Sequence, residues 1–182
     1  MKLATKRLIL RPFTSSDVDN VHSYSKKETV TRFMEWGPNT HAQSENFVYF
    51  VLNQDRSLPK KEYNFIVQLK DGTVIGACSI KIREDFNSGE LGWIYNDIYW
   101  NQGYGTEVCR ALMAFAFNTL KLPKIYARAD EENIGSYRIM EKVGMRFVMR
   151  STKETKKLGK KDNRIYELTA LEFKLNNHKT FI

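Results

Sequence analysis

The chain has 182 residues, of which 42% are hydrophobic and 13% aromatic, and 29 Lys and Arg against 21 Asp and Glu give it a formal charge of +8. That apolar share can bury the core of one domain, while no run approaches the ~18 consecutive apolar residues of a membrane span. Met1-Lys2-Leu3-Ala4-Thr5-Lys6-Arg7 lacks the apolar stretch of a secretory leader, so the expectation is a cytoplasmic protein with no membrane partner.

Arg7-Leu8-Ile9-Leu10-Arg11, closed by Pro12, predicts a first strand. Thr14-Ser15-Ser16-Asp17 offers a helix cap with Val18 and Val21 behind it, and Thr40 with Gln43 forms a capping box before Phe47-Val48-Tyr49-Phe50-Val51-Leu52. Two helices are therefore expected before the pattern changes. Tyr63, Phe65, Val67 and Leu69 then alternate on one face, and Val74, Gly76, Cys78, Ile80 and Ile82 on another, with Asp71-Gly72 as the hairpin turn between them. A strand over about 90–95 runs into a glycine-containing loop, after which Val108, Leu112, Phe115 and Ala116 recur at helical spacing. Beyond Pro123 the pattern predicts a strand over 124–129, a helix over about 134–143 stopped by Gly144, and strands over about 146–152 and 164–171 joined by a lysine-rich loop. Nothing in composition argues for a second domain, so residues 1–175 are expected to form one unit and 176–182 a loose tail.

The cysteines, Cys78 and Cys109, sit in apolar segments without metal-ligand spacing, and His22, His41 and His178 are scattered, so neither a metal nor a cysteine nucleophile is expected. The positive charge lies in short runs, Lys26-Lys27, Lys60-Lys61 and the stretch from Lys153 to Lys161. Such runs suit solvated loops and the attraction of an anionic ligand better than a nucleic-acid face.

Gly103-Tyr104-Gly105 stands between a strand and a helix. Glycines let the backbone turn tightly against a ligand, and the first helical turn presents unpaired N–H groups and the positive end of the helix dipole. That combination is an anion site. A dinucleotide fingerprint would need a third glycine where Val108 stands, and a P-loop would need Gly-Lys-Ser/Thr, which is absent.

Five segments in order carry a resemblance: Thr5-Lys6-Arg7-Leu8-Ile9-Leu10-Arg11, Glu90-Leu91-Gly92-Trp93, Trp100-Asn101-Gln102-Gly103-Tyr104-Gly105-Thr106-Glu107, Asn133-Ile134-Gly135-Ser136 and Glu141-Lys142-Val143-Gly144-Met145. Together they resemble the GNAT superfamily of N-acetyltransferases, and within it the branch related to the ribosomal-protein alanine N-acetyltransferases of the RimJ/RimL type. The resemblance implies a mixed α+β fold, with a mostly antiparallel twisted sheet of about seven strands flanked by about four helices. It implies acetyl-CoA as co-substrate and no metal. The coenzyme phosphates would be held by the backbone of Trp100, Asn101, Gln102, Gly103, Tyr104, Gly105 and Thr106, and the pantetheine arm by that of Trp93, Ile94 and Tyr95. Acetyl would pass directly from the thioester to a primary amine, with no acyl-enzyme.

In that scheme Glu90 is the general base, acting through water, Ser136 meets the coenzyme sulfur and protonates the thiolate, and Asn133 orients the pantetheine or a water. Trp36 and Glu90 would border the acceptor cleft. Each has a plainer alternative: an ordinary ion pair for Glu90, a helix cap for Asn133 and Ser136, and core packing for Trp36. Tyr137 is a reserve acid. Two departures stand out: Trp100 replaces the Gln or Arg that usually begins the coenzyme loop, as is common in the RimJ/RimL branch, and Met140 stands where many members carry a tyrosine acid. The acceptor stays open between a protein amino terminus and a small amine, and the assembly between monomer and homodimer. The rival function is a non-catalytic acyl-CoA-binding module, or a basic module binding nucleic acid or the ribosome, on the same fold.

Overall fold

The computed structural model describes residues 1–55, 58–83 and 87–178. Strands β1 (Leu3–Ala4) and β2 (Leu8–Arg11) lead to helices α1 (Val18–Ser25), α2 (Glu28–Thr31) and α3 (His41–Gln54). Then come β3 (Glu62–Leu69), β4 (Val74–Ile82), β5 (Gly89–Tyr95), α4 (Tyr104–Ala114), β6 (Lys124–Asp130), α5 (Ile134–Lys142), β7 (Arg146–Thr155), β8 (Gly159–Thr169) and α6 (Ala170–His178). The strands form one sheet in the order β1-β2-β3-β4-β5-β6-β8-β7, antiparallel throughout except where β5 meets β6. Among the described residues no helix is long and apolar enough to cross a membrane.

The sheet is the middle of three layers. On one face Val21 and Tyr24 of α1 and Val48 and Val51 of α3 pack on Ile66, Ala77 and Ile94. On the other, Val108, Cys109 and Leu112 of α4 and Met140 of α5 pack on Phe65, Val67, Cys78, Ile80 and Leu91, with Phe173 of α6 at the margin. Alternation along each strand decides this division, since successive side chains leave opposite faces of a sheet.

The expected mixed α+β fold is the one observed, with one more strand and two more helices than expected. β1 escaped notice because two residues leave no periodicity; it is closed by Thr5, whose hydroxyl accepts the Leu8 N–H at 3.0 Å. α6 begins inside the expected strand over 164–171, because Thr169 and Glu172 form a reciprocal cap: the Thr169 N–H donates to Glu172 Oε2 at 2.8 Å and the Glu172 N–H to Thr169 Oγ1 at 3.3 Å. Asn176 therefore lies in a helix rather than in a loose tail, and residues 179–182 lie outside the described residues.

Two further corrections are local. The register slips between Val67 and Gln68, so Gln68 faces Val74 and Ile75 becomes the extra residue of a bulge. Ile75 then joins the α4 side and Val74 the α1 side, which breaks the single face expected from Val74 to Ile82. The lysine-rich stretch is no loose loop but the tip of the β7–β8 hairpin, with Lys153 opposite Lys161 and Thr155 opposite Gly159. Three of its five lysines, Lys153, Lys157 and Lys161, are engaged. Lys157 Nζ donates to the carbonyls of Thr31 at 2.7 Å and Trp36 at 2.9 Å, and Lys153 Nζ pairs with Glu35.

Candidate active site

β5 and β6 are the two strands that come apart. They pair in parallel only at Gly89 with Ile125 and Glu90 with Tyr126, after which β5 keeps β4 and β6 keeps β8 as neighbours. A fork results, open toward the carboxyl ends of both strands. In an antiparallel pair the N–H groups of alternate residues point to the partner strand. The Asn96 N–H donates to the Ile75 carbonyl at 2.9 Å, so the Ile94 N–H also faces β4, and those of Trp93 and Tyr95 face the fork. Of the three residues assigned to the pantetheine, Trp93 and Tyr95 can offer backbone donors there and Ile94 cannot. Gly76 makes this geometry possible: a Cβ there would lie 2.1 Å from the Ile94 carbonyl oxygen.

The loop after β5 turns into α4 at Gly103, whose φ of 80° is left-handed, and Asn101 before it is also left-handed at 59°. The first intrahelical bond is that of the Glu107 N–H to the Gly103 carbonyl, so the N–H groups of Tyr104, Gly105 and Thr106 have no partner within the helix. They converge at the positive end of the helix dipole. Trp100 plays another part: its N–H is taken by the Asp97 carbonyl at 3.0 Å and its indole N–H by the Tyr95 carbonyl at 3.0 Å. It fastens the loop to the end of β5 instead of presenting a donor.

A second clamp comes from the first turn of the chain. Glu107 accepts from the Thr5 hydroxyl at 2.6 Å, the Arg7 N–H at 2.8 Å and Arg7 Nε at 2.7 Å, while Arg7 Nη1 donates to the Gln102 carbonyl at 2.9 Å. Burial works to raise the Glu107 carboxyl, but these donors outweigh it and hold it below the ordinary carboxylate value. The Arg7 guanidinium also lies 4.3 Å from the centre of the Tyr104 ring. Beside this clamp runs an open groove of about 500 Å³ lined by Lys6 and Arg7 from the segment after β1 and by Gly103, Thr106, Glu107 and Arg110 from the start of α4. Thr5, Arg7 and Glu107 as a positioning set were not foreseen, although each stands in one of the quoted segments.

Glu90 sits where the fork begins. Arg128 Nε lies 2.9 Å from its Oε1, and the Tyr126 hydroxyl donates to its Oε2 at 3.0 Å. The ion pair is thus real, yet a carboxylate has about four lone-pair positions, so two remain for a water. Burial first, and then the Glu90 charge, push the Tyr126 phenol above its usual value, so it stays a donor at neutral pH. Tyr126 and Arg128 were missed, though their i, i+2 spacing in a strand next to Glu90 was a usable signal.

Across the fork, Asn133 Oδ1 accepts the Ser136 N–H at 3.2 Å as the cap of α5. Asn133→Ala should lower stability by about 1 kcal/mol, read as a fall in thermal midpoint. The Ser136 hydroxyl has no hydrogen-bond partner among the described residues and is half-buried. Trp36 is 40% exposed, and Lys157 binds its carbonyl, so it stands by the β7–β8 hairpin with its ring open to solvent rather than packed in the core. Both cysteines are buried, and burial pushes the Cys109 thiol up to about 12 and the Cys78 thiol well above its ordinary value. Neither is a nucleophile at neutral pH.

Comparison with known proteins agrees with this geometry. The acetyltransferase (GNAT) domain model matches residues 7–146. The Bacillus subtilis protein YnaD, described as an uncharacterized N-acetyltransferase, is 31% identical over 146 residues, covering 80% of this chain and 83% of that protein. A GNAT-family acetyltransferase from Bacillus anthracis superposes with a TM-score of 0.83 at 29% identity, over 94% of this chain and all of that one. RimL, the ribosomal L7/L12 alpha-N-protein acetyltransferase solved with coenzyme A, shares the fold at a TM-score of 0.80, with 14% identity over 93% of this chain and 98% of its own. The chain belongs to the GNAT acetyltransferase family. It is an N-acetyltransferase that draws its acetyl group from acetyl-CoA and passes it to an amine.

Proposed function

We propose that this enzyme transfers acetyl directly from the thioester to a primary amine, either a protein amino terminus or a small amine, that reaches the fork from the α1–α3 side of the sheet. The observation that carries the reading is the fork itself, with the N–H groups of Trp93 and Tyr95 facing it from one prong and the α4 amino terminus beside it. The N–H groups of Asn101, Gln102, Gly103, Tyr104, Gly105 and Thr106 would meet the coenzyme's phosphates, and those of Trp93 and Tyr95 its amide arm. Acetyl-CoA supplies an acyl group activated as a thioester.

Glu90 takes the amine proton through a water held on its free lone pairs, and Tyr126 and Arg128 fix the carboxylate for that task. The Ser136 hydroxyl hydrogen-bonds the departing thiolate and relays to it a proton that it regains from water, while Asn133 caps the first turn of α5 that carries Ser136. Trp36 borders the acceptor's entrance. Residues 1–175 act as the acetyltransferase unit. The rival basic module finds less support, because Lys153, Lys157 and Lys161 are engaged by Glu35, by backbone carbonyls and by Glu132.

Thiol release from acetyl-CoA in the presence of a panel of primary amines and peptides tests this. Glu90→Gln should reduce kcat about 100-fold with acetyl-CoA affinity unchanged, the lower range for a general base, and Ser136→Ala about tenfold. Turnover within twofold of the parent in both variants would remove these residues from the chemistry.

A further inference from the structure

One cavity plays no part in the reading above. It lies between the segment after α2 and the β7–β8 hairpin, measures about 30 Å³, and is lined by Phe33, Glu35, Asp130, Lys153, Lys161 and Asn163 among others. A space of that order holds one water or one group of equal size, such as the head of an alkylammonium. Asp130 is the last residue of β6, faces Asn163 across to β8, and is only 6% exposed.

The two carboxylate oxygens of Asp130 differ. Oδ1 accepts the Glu132 N–H at 2.9 Å. Oδ2 is buried and has no hydrogen-bond partner among the described residues. A buried carboxylate oxygen without a donor carries a desolvation penalty that nothing offsets, so the folded protein gains when a donor enters. The lysines on the cavity wall are already committed, Lys153 to Glu35 and Lys161 to Glu132 at 3.2 Å. Just outside, Arg150 and Arg164 converge on Glu131 at 2.7 and 3.0 Å. Asp130 is left as the carboxylate whose counter-charge is missing.

Its place in the sheet says which ligand could supply one. Tyr126, Arg128 and Asp130 leave the same face of β6, the face on which Glu90 lies. Asp130 is four residues beyond Tyr126, about 13 Å at the usual rise per strand residue. An extended amine whose reacting nitrogen is at Glu90 therefore has its far end near Asp130.

We propose that this cavity is an acceptor subsite for a second ammonium group, bound through Asp130 Oδ2, so that the enzyme selects extended amines carrying two or more positive charges. The proposal rests on the acceptor entering at the fork as described above. The test compares 1,8-diaminooctane with n-octylamine, in thiol-release kinetics and by calorimetry on the protein saturated with coenzyme A. The parent should show a KM for the diamine at least tenfold below that for the monoamine. Asp130→Asn keeps the shape and the bond from Glu132; it should raise the diamine KM at least tenfold and weaken diamine binding equally, leaving kcat and the monoamine KM within twofold. Equal KM values in the parent, or diamine binding untouched by D130N, would mean that the cavity holds only a water and would overturn the proposal. So would an equal fall of kcat with both amines, which would place Asp130 in the chemistry. Diamine binding lost in D130N but no turnover of either amine by the parent would keep the subsite and refute the proposed chemistry instead.

Discussion

Gly103→Val should weaken acetyl-CoA binding at least 100-fold, about 2.7 kcal/mol, when titrated by calorimetry. At φ of 80° a β-branched residue is strained, and a Cβ at this position already stands 3.4 Å from Arg7 Nη2. The two further methyl groups press on Arg7, which holds the Gln102 carbonyl and Glu107, so the loop gives way at the proposed phosphate site. Each hydrogen bond to a charged oxygen contributes roughly 1.5–3 kcal/mol, so displacing even two donors accounts for the expected loss. A variant that keeps its thermal midpoint and binds within threefold of the parent would rule out this loop as the coenzyme's phosphate site.

Asp17→Ala should destabilise the protein by about 3–5 kcal/mol, measured by denaturant unfolding. Asp17 is 1% exposed and accepts from Arg11 Nη2 at 2.6 Å, Arg11 Nη1 at 2.8 Å, the Thr14 N–H at 2.8 Å and the Thr14 hydroxyl at 2.9 Å. Its removal strands the Arg11 guanidinium, which is mostly covered. Burial acts to raise the Asp17 carboxyl, yet the Arg11 and Thr14 bonds prevail and the net shift is downward. A carboxyl depressed on folding contributes stability that is complete above its unfolded value, near 4, and fades as pH falls through the lower folded value. Unfolding midpoints of the parent should therefore drop below about pH 4, and Asp17→Asn should flatten that decline. An equally steep decline in the variant would place the acid-labile group elsewhere.

Much of the sheet was legible because its signals are local. Asp71-Gly72 fixes the β3–β4 hairpin, Thr40 with Gln43 fixes the start of α3, and Gly144 at φ of 85° ends α5 as expected. What escaped was set by tertiary partners. The hairpin at 146–169 has few apolar residues near its tip, and it is fixed there by Lys157 reaching carbonyls more than a hundred residues away. The bulge at Ile75 lies in the pairing of β4 with β3, which local spacing does not record. At the site the same division holds. The loop at 100–106 could be read from its glycines, whereas the partners of Glu90 lie on another strand, and the direction in which Ile94 points needed the register. Asp130 left no trace in spacing, since its meaning lies in what it lacks.

The clamp of Thr5 and Arg7 on Glu107 also bears on how the protein is made. Residues 5 and 7 find their carboxylate only about a hundred residues further along the chain, so the loop at 100–106 cannot take its final shape until both segments have been made. Such long-range contacts slow folding because the chain between them must be ordered first. A change that loosens the segment at 5–7 should therefore also loosen the loop at 100–106, the proposed seat of the coenzyme's phosphates.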